Sequence, residues 1–115
     1  MMLPDPEDAE EISPAQLSRL LTEHVDFSLI DCREPDEWDL NRIDGARHWA
    51  LSKFPEAGPQ LLQQKPTPLI IYCHHGVRSL HLTRWLRHHG CAEVYSLEGG
   101  IDRWSREIDS SIPLY

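Results

Sequence analysis

The chain has 115 residues, 40% hydrophobic and 26% charged, a composition that excludes disordered and fibrous classes and suits one globular domain. A chain of this size buries roughly 65% of the surface its unfolded form exposes, enough for a core without disulfide or metal staples. Eleven Lys and Arg stand against nineteen Asp and Glu, and the resulting charge of −8 opposes nucleic acid and anionic membrane surfaces as partners.

Residues 1–10 read as an acidic, proline-containing lead-in. Asp5, Glu7, Asp8, Glu10 and Glu11 have no base among them, so the rest of the chain is only mildly acidic. Such a run is read as solvated charge rather than as a docking tail. The N-terminus lacks the basic start and apolar run of a secretory signal, and no stretch reaches membrane-spanning length. Cys32, Cys73 and Cys91 are an odd number without repeating spacing, which argues against a disulfide framework and fits a reducing compartment. A cytoplasmic protein with no membrane partner is expected.

Glu11-Ile12 is read as a very short strand. Ser13-Pro14-Ala15-Gln16 then supplies an N-cap hydroxyl, a proline at the first helical position and a glutamine placed to close a capping box. Leu17, Leu20 and Leu21 follow at helical spacing, which predicts a helix from 14 to about 23. Phe27 to Asp31 reads as a strand, Glu34 to Asn41 as a short helix with Trp38 inward, and Ala46 to Trp49 as a second short strand. A helix is expected over about 54–63, before the Pro66-Thr67-Pro68 break.

Leu69-Ile70-Ile71-Tyr72 is the clearest strand, a continuous apolar run of the kind buried on both faces of a parallel sheet. Val77 to about His89 reads as a helix with Leu82, Trp85 and Leu86 inward and Arg84, Arg87 and His88 outward, stopped by Gly90. Val94 to Leu97 is another strand, and Gly99-Gly100 turns into a helix carrying Ile101 and Trp104. This alternation predicts an α/β domain with a mainly parallel sheet. Ligands in such sheets bind beyond the carboxyl ends of the strands, which directs attention to the loops after Ile30, Tyr72 and Leu97.

One of those loops is Cys73-His74-His75-Gly76-Val77-Arg78-Ser79, between the strongest strand and the strongest helix. If it curls around the cysteine sulfur, its amides and the unpaired first N–H groups of the helix converge into an anion cradle. The helix dipole and Arg78 then favour a thiolate, making Cys73 a nucleophile. Gly76 permits the tight turn, and Ser79 caps the helix or offers its hydroxyl to the anion.

Four ordered segments carry a resemblance to the rhodanese (sulfurtransferase) family. They are Asp31-Cys32-Arg33-Glu34-Pro35-Asp36-Glu37-Trp38, Ile43-Asp44-Gly45-Ala46, Tyr72 to Ser79, and Val94 to Trp104, and they span nearly the whole chain. The resemblance implies a single rhodanese-like domain over 11–108, with 109–115 as a C-terminal tail. The implied fold is α/β and three-layered, a five-stranded parallel sheet flanked by helices on both faces, with the active loop after the fourth strand. The implied reaction begins when Cys73 takes the outer sulfur of thiosulfate or a similar donor, releasing sulfite and leaving a persulfide. A thiophilic acceptor, cyanide or a thiol, then removes the sulfur.

On this reading Arg78 orients the anionic donor and the amides of His74, His75, Gly76, Val77, Arg78 and Ser79 form the cradle. Asp31 and Arg33 are placed as loop support. No cofactor is needed. No metal is assigned either, because His74, His75 and His81 show no second ligand pair at structural-zinc spacing. Cys32 and Cys91 are read as packed side chains, although Cys32, in the loop after a strand, is placed to approach Cys73 as a resolving thiol. Two other functions share the motif: a sulfur carrier handing its persulfide to a protein acceptor, and a cysteine-dependent phosphatase or arsenate reductase. Four residues separate Cys73 from Arg78 where the phosphatase pattern has five, and the shorter loop favours sulfur.

Overall fold

Side chains along the inner strands alternate between two buried faces, and that alternation builds the domain. The computed structural model describes residues 3–53 and 68–115. Five parallel strands, β1 (Glu11–Ile12), β2 (Ser28–Asp31), β3 (Arg47–His48), β4 (Leu69–Tyr72) and β5 (Val94–Leu97), form one sheet in the order β1-β5-β4-β2-β3. The described helices are α1 (Pro14–Thr22), α2 (Pro35–Leu40), α3 (Val77–His88) and α4 (Gly100–Glu107), with a short 3-10 turn at Leu51–Lys53.

Leu29, Ile70, Tyr72, Tyr95 and Leu97 face one core, filled from outside by Leu17 and Leu20 of α1 and by Ile101 and Trp104 of α4. Ile30, Leu69, Ile71, Cys73 and Val94 face the other, against Leu82 and Leu86 of α3. Consecutive strand residues point to opposite faces, so a strand covered on both must be apolar throughout, and β4 is buried along its full length. The fold is the three-layered α/β arrangement expected from the sequence. The helix expected over 54–63 lies outside the described residues.

Local chemistry sets the helix starts. Gln16 N donates to Ser13 Oγ at 3.1 Å and Ser13 N donates to Gln16 Oε1 at 2.7 Å, the reciprocal box that the Ser-Pro-Ala-Gln run predicts. Pro35 likewise opens α2. One inward assignment needs correcting: Trp85 is 41% exposed and stacks on His89 instead of entering the core. The buried face of α3 runs through Ser79, Leu82, Thr83 and Leu86, the i, i+3, i+4, i+7 stripe of one helix face, which turns position 85 away from the sheet.

Both chain ends are tied to the domain. Arg87 donates to the carbonyls of Pro6 and Ala9, and Arg84 pairs with Glu10, which fastens the acidic lead-in along α3 and β5. In the segment read as a tail, Ile112 is buried in the α1/α4 core and Tyr115 reaches back to the carboxyl end of the sheet.

The connection after β2 leads to β3 at one edge, whereas the connection after β4 leads the other way to β5. A crevice opens at the carboxyl ends of strands where connections diverge in this manner. Cys32 follows β2 and Cys73 follows β4, so both lie at this switch point. The β4–α3 loop is fixed there by α4: Ile101 N donates to Cys73 O at 2.9 Å and Asp102 N to His74 O at 3.1 Å. That contact demands glycine at position 100, whose φ is +61° and where a Cβ would come within 2.5 Å of Cys73 O. Gly100→Ala is expected to destabilise the domain by about 2–4 kcal/mol, combining left-handed backbone strain with overpacking. Denaturant midpoints measure this, and a loss below about 0.5 kcal/mol, the range of an ordinary surface change, contradicts it.

Candidate active site

Cys73 is 1% exposed, and three donor groups converge on its sulfur from the loop and the first turn of α3. Gly76 N lies 3.1 Å from Sγ, Ser79 N 3.4 Å and Ser79 Oγ 3.4 Å. Gly76 aims these groups. Its φ is +99°, and a Cβ there would press within 3.2 Å of Gly99 N and 3.3 Å of Leu97 O. Ser79 Oγ also lies 2.7 Å from Ser96 Oγ on β5 and 3.2 Å from Gly76 O, so the hydroxyl is anchored from three sides.

These partners hold the Cys73 thiol down to about 5. The largest cause is a hydrogen bond from the Cys32 thiol, followed, against the opposing effect of burial, by the Ser79 hydroxyl and the Ser79 and Gly76 amides. Cys32, donating that bond and buried, is pushed far above the ordinary thiol range and keeps its proton. The pair therefore carries one negative charge, and it resides on Cys73, where the main-chain donors are.

The sequence reading assigned the activation of Cys73 to the helix terminus and Arg78. The amide donors of the α3 terminus are in place, but the Arg78 side chain is engaged elsewhere. Its Nη1 and Nη2 donate to Glu37 Oε1 and Oε2 at 2.7 and 2.8 Å, a bidentate pair across the cleft to α2. Arg78 pulls the Glu37 carboxyl down to about 2. Tyr115 completes the arrangement: its hydroxyl donates to Glu37 Oε2 at 2.7 Å and accepts from Arg33 Nη1 at 2.9 Å, while its ring stacks on His74 at 3.8 Å. Burial pushes the Tyr115 phenol up to about 12, so it keeps the proton it donates.

Asp31 and Arg33 form a fully buried pair, with Arg33 Nη2 2.7 Å from Asp31 Oδ2. The rest of the guanidinium is satisfied by Asn41 Oδ1 at 2.8 Å, Asn41 O at 2.7 Å and Tyr115. A buried charge needs this many partners. The pair braces the β2–α2 segment and the C-terminal residues, and reaches the Cys73 loop through Tyr115 and His74.

His74 is half-buried and His75 exposed, their rings stacked at 3.8 Å, and Val77 is 65% exposed; of the amides expected in the cradle, those of Gly76 and Ser79 lie within hydrogen-bond distance of the sulfur. Asp102 joins the two histidines in a group that offers three ligand atoms within 4.8 Å of one another. The ring planes are 28° apart, so the nitrogen lone pairs run side by side rather than converge, and Asp102 Oδ2 already pairs with Arg106 at 3.0 Å.

Glu37, Ser96, Tyr115 and Asp102 escaped the sequence reading. Ser96 carried one signal, a hydroxyl inside an otherwise apolar strand. The other three carried none, since each reaches the site from a distant element.

The lowered thiol has a direct signature. Iodoacetamide alkylation of Cys73 should rise with pH about a midpoint near 5 and level off by neutrality, because the thiolate is the reactive form and exists above that value. Loss of the hydroxyl in Ser79→Ala should move the midpoint up by roughly one pH unit. A wild-type midpoint in the ordinary range of about 8–9 would contradict the cradle.

A model of the rhodanese-like domain matches residues 13–107 of the chain. The chain is similar to the uncharacterized protein YqhL of Bacillus subtilis, 39% identical over 80 residues that cover 70% of this chain and 62% of that one. It is 32% identical over 91 residues to the thiosulfate sulfurtransferase GlpE of Coxiella burnetii, covering 79% of this chain and 83% of that one. Among solved structures, a human single-domain sulfurtransferase superposes with a TM-score of 0.72 at 24% identity, over 86% of this chain and 97% of the other, a likeness of fold.

Proposed function

The chain belongs to the rhodanese-like domain family, and from that premise we propose that it is a sulfurtransferase that carries sulfane sulfur on Cys73. The observation that carries this reading is the sulfur-centred cradle: Cys73 Sγ at the end of β4, facing Gly76 N, Ser79 N and Ser79 Oγ, with its thiol held at about 5.

The Cys73 thiolate attacks the outer sulfur of thiosulfate or a similar donor. A new S–S bond forms, the donor's S–S bond breaks, and sulfite leaves with the bonding pair. The persulfide's negative outer sulfur is then stabilised by fixed N–H and O–H dipoles that need no reorganisation. An acceptor nucleophile, cyanide or a thiol, attacks that sulfur and returns Cys73 as thiolate. Two half-reactions on one nucleophile give ping-pong kinetics. None of these steps calls for a cofactor. The setting is cytoplasmic, and the partners are the anionic donor and a small or protein-borne thiol acceptor.

Arg78 orients the donor, but its fork meets Glu37 in the resting site, so an incoming dianion competes with that carboxylate. Arg78→Ala is expected to raise the thiosulfate KM by roughly ten- to a hundredfold, the scale of a lost charge-assisted contact. Glu37→Gln should lower it, because the guanidinium is released. Steady-state kinetics of both variants decide the point, and a rise of similar size in both would show that the pair is structural.

The nucleophile is tested by Cys73→Ser, which should abolish thiosulfate-dependent thiocyanate formation. Mass spectrometry of samples quenched soon after mixing with thiosulfate should find one added sulfur on wild-type Cys73. Robust activity in Cys73→Ser would sink the mechanism, and hydrolysis of an aryl phosphate without sulfur uptake would favour a phosphatase.

A further inference from the structure

Among the described residues, Cys32 is the one buried thiol in the site that sulfur transfer does not use. Strands β2 and β4 run parallel in a register that pairs Ile30 with Ile71 and Asp31 with Tyr72, so Cys32 and Cys73 follow the last registered pair on adjacent strands. Cys32 N donates to Tyr72 O at 3.0 Å and Leu51 N donates to Cys32 O at 2.9 Å, which pins the Cys32 backbone on both sides. Adjacent strands lie about 4.8 Å apart, within the span of Cα separations, roughly 4.4–6.8 Å, that a disulfide bridges. Both side chains turn to the same face, into the core with Ile30, Ile71 and Leu82, and both are shielded from water, at 0% and 1% exposed. The donors of the cradle come from the loop and α3, whereas Cys32 approaches from the neighbouring strand and leaves them unobstructed.

Building on the sulfurtransferase reading above, we propose that Cys32 is a resolving thiol for the Cys73 persulfide, giving the protein a second activity: release of hydrosulfide without any external acceptor. The Cys32 sulfur attacks Cys73 Sγ with a lone pair and forms a Cys32–Cys73 bond. The bond from Cys73 Sγ to the outer sulfur breaks, and its electron pair leaves with that sulfur. The Cys32 proton ends on the leaving atom, so thiol plus persulfide anion become disulfide plus HS⁻. Cys32 is oxidised and the outer sulfur reduced, with no further oxidant. A dithiol reductant returns the pair to its starting state by thiol–disulfide exchange.

The resting site accounts for the order of events. The Cys32 thiol donates to the Cys73 thiolate and keeps its proton, so it is a slow nucleophile that an abundant acceptor outruns. Resolution therefore dominates when a loaded persulfide waits without an acceptor.

The test uses the full chain, reduced and desalted, mixed with thiosulfate in the absence of cyanide and added thiols. Hydrosulfide is trapped with monobromobimane, and unreduced peptides are mapped by mass spectrometry. The expected result is up to one hydrosulfide per chain, released at a rate independent of protein concentration, together with a Cys32–Cys73 linked peptide. Cys91→Ser should behave as the wild type, since Cys91 precedes β5 at the opposite end of the sheet. Cys32→Ser should retain the added sulfur on Cys73 and release at least tenfold less hydrosulfide. A wild type that holds its persulfide with neither hydrosulfide nor the linked peptide overturns this inference and leaves the sulfurtransferase intact. Absence of added sulfur on Cys73 in Cys32→Ser, together with neither hydrosulfide nor the linked peptide from the wild type, overturns the sulfurtransferase reading and this one with it. The wild-type peptide map decides the matter even if the Cys32 variant folds poorly.

Discussion

The two main-chain hydrogen bonds from the start of α4 to the carbonyls of Cys73 and His74 hold the site together. They take up the carbonyls at the start of the loop, while the amides that face the sulfur come from its later part, Gly76 N and Ser79 N. Gly100 is the position that allows α4 to come so close, and Gly76 the one that lets the loop turn back toward α3. The cradle is thus a property of two segments whose glycines meet, 24 positions apart in the chain, rather than of the loop alone.

Charge is distributed with the same economy. One negative charge is shared by Cys32 and Cys73 and localised on the residue that faces the amides. Arg78 and Glu37 cancel each other across the cleft, and Arg33 and Asp31 do so beneath it. The net negative charge of the chain therefore says little about the cleft, where each fixed charge meets an opposite partner within hydrogen-bond distance. Tyr115 links these pairs, touching Glu37 and Arg33 through its hydroxyl and His74 through its ring, so residues far apart in sequence form one polar network at the mouth of the crevice.

Legibility followed the range of the interaction. The capping box at Ser13, the strand at 69–72 and the Cys73-to-Ser79 loop could be read because their physics acts within a few residues: an N-cap hydroxyl, a doubly buried apolar run, a glycine at a left-handed turn. The inward placement of Trp85 was misjudged for a related reason. An apolar residue was assumed to face the core, but the burial stripe on α3 is set by where the sheet lies, and Thr83 takes that place.

The amino-acid sequence by itself determined the α/β order, the parallel sheet and the place of the Cys73-to-Ser79 loop between β4 and α3, because periodicity and turn chemistry are local and four family signatures stand in fixed order. Only the tertiary structure decided that Cys32 lies beside Cys73, that Glu37 occupies Arg78, and that Ser96 and Tyr115 belong to the site. Those contacts arise from strand register and chain return, which bring together residues between 17 and 78 positions apart. Their energies are short-ranged in space and leave no periodic trace along the chain.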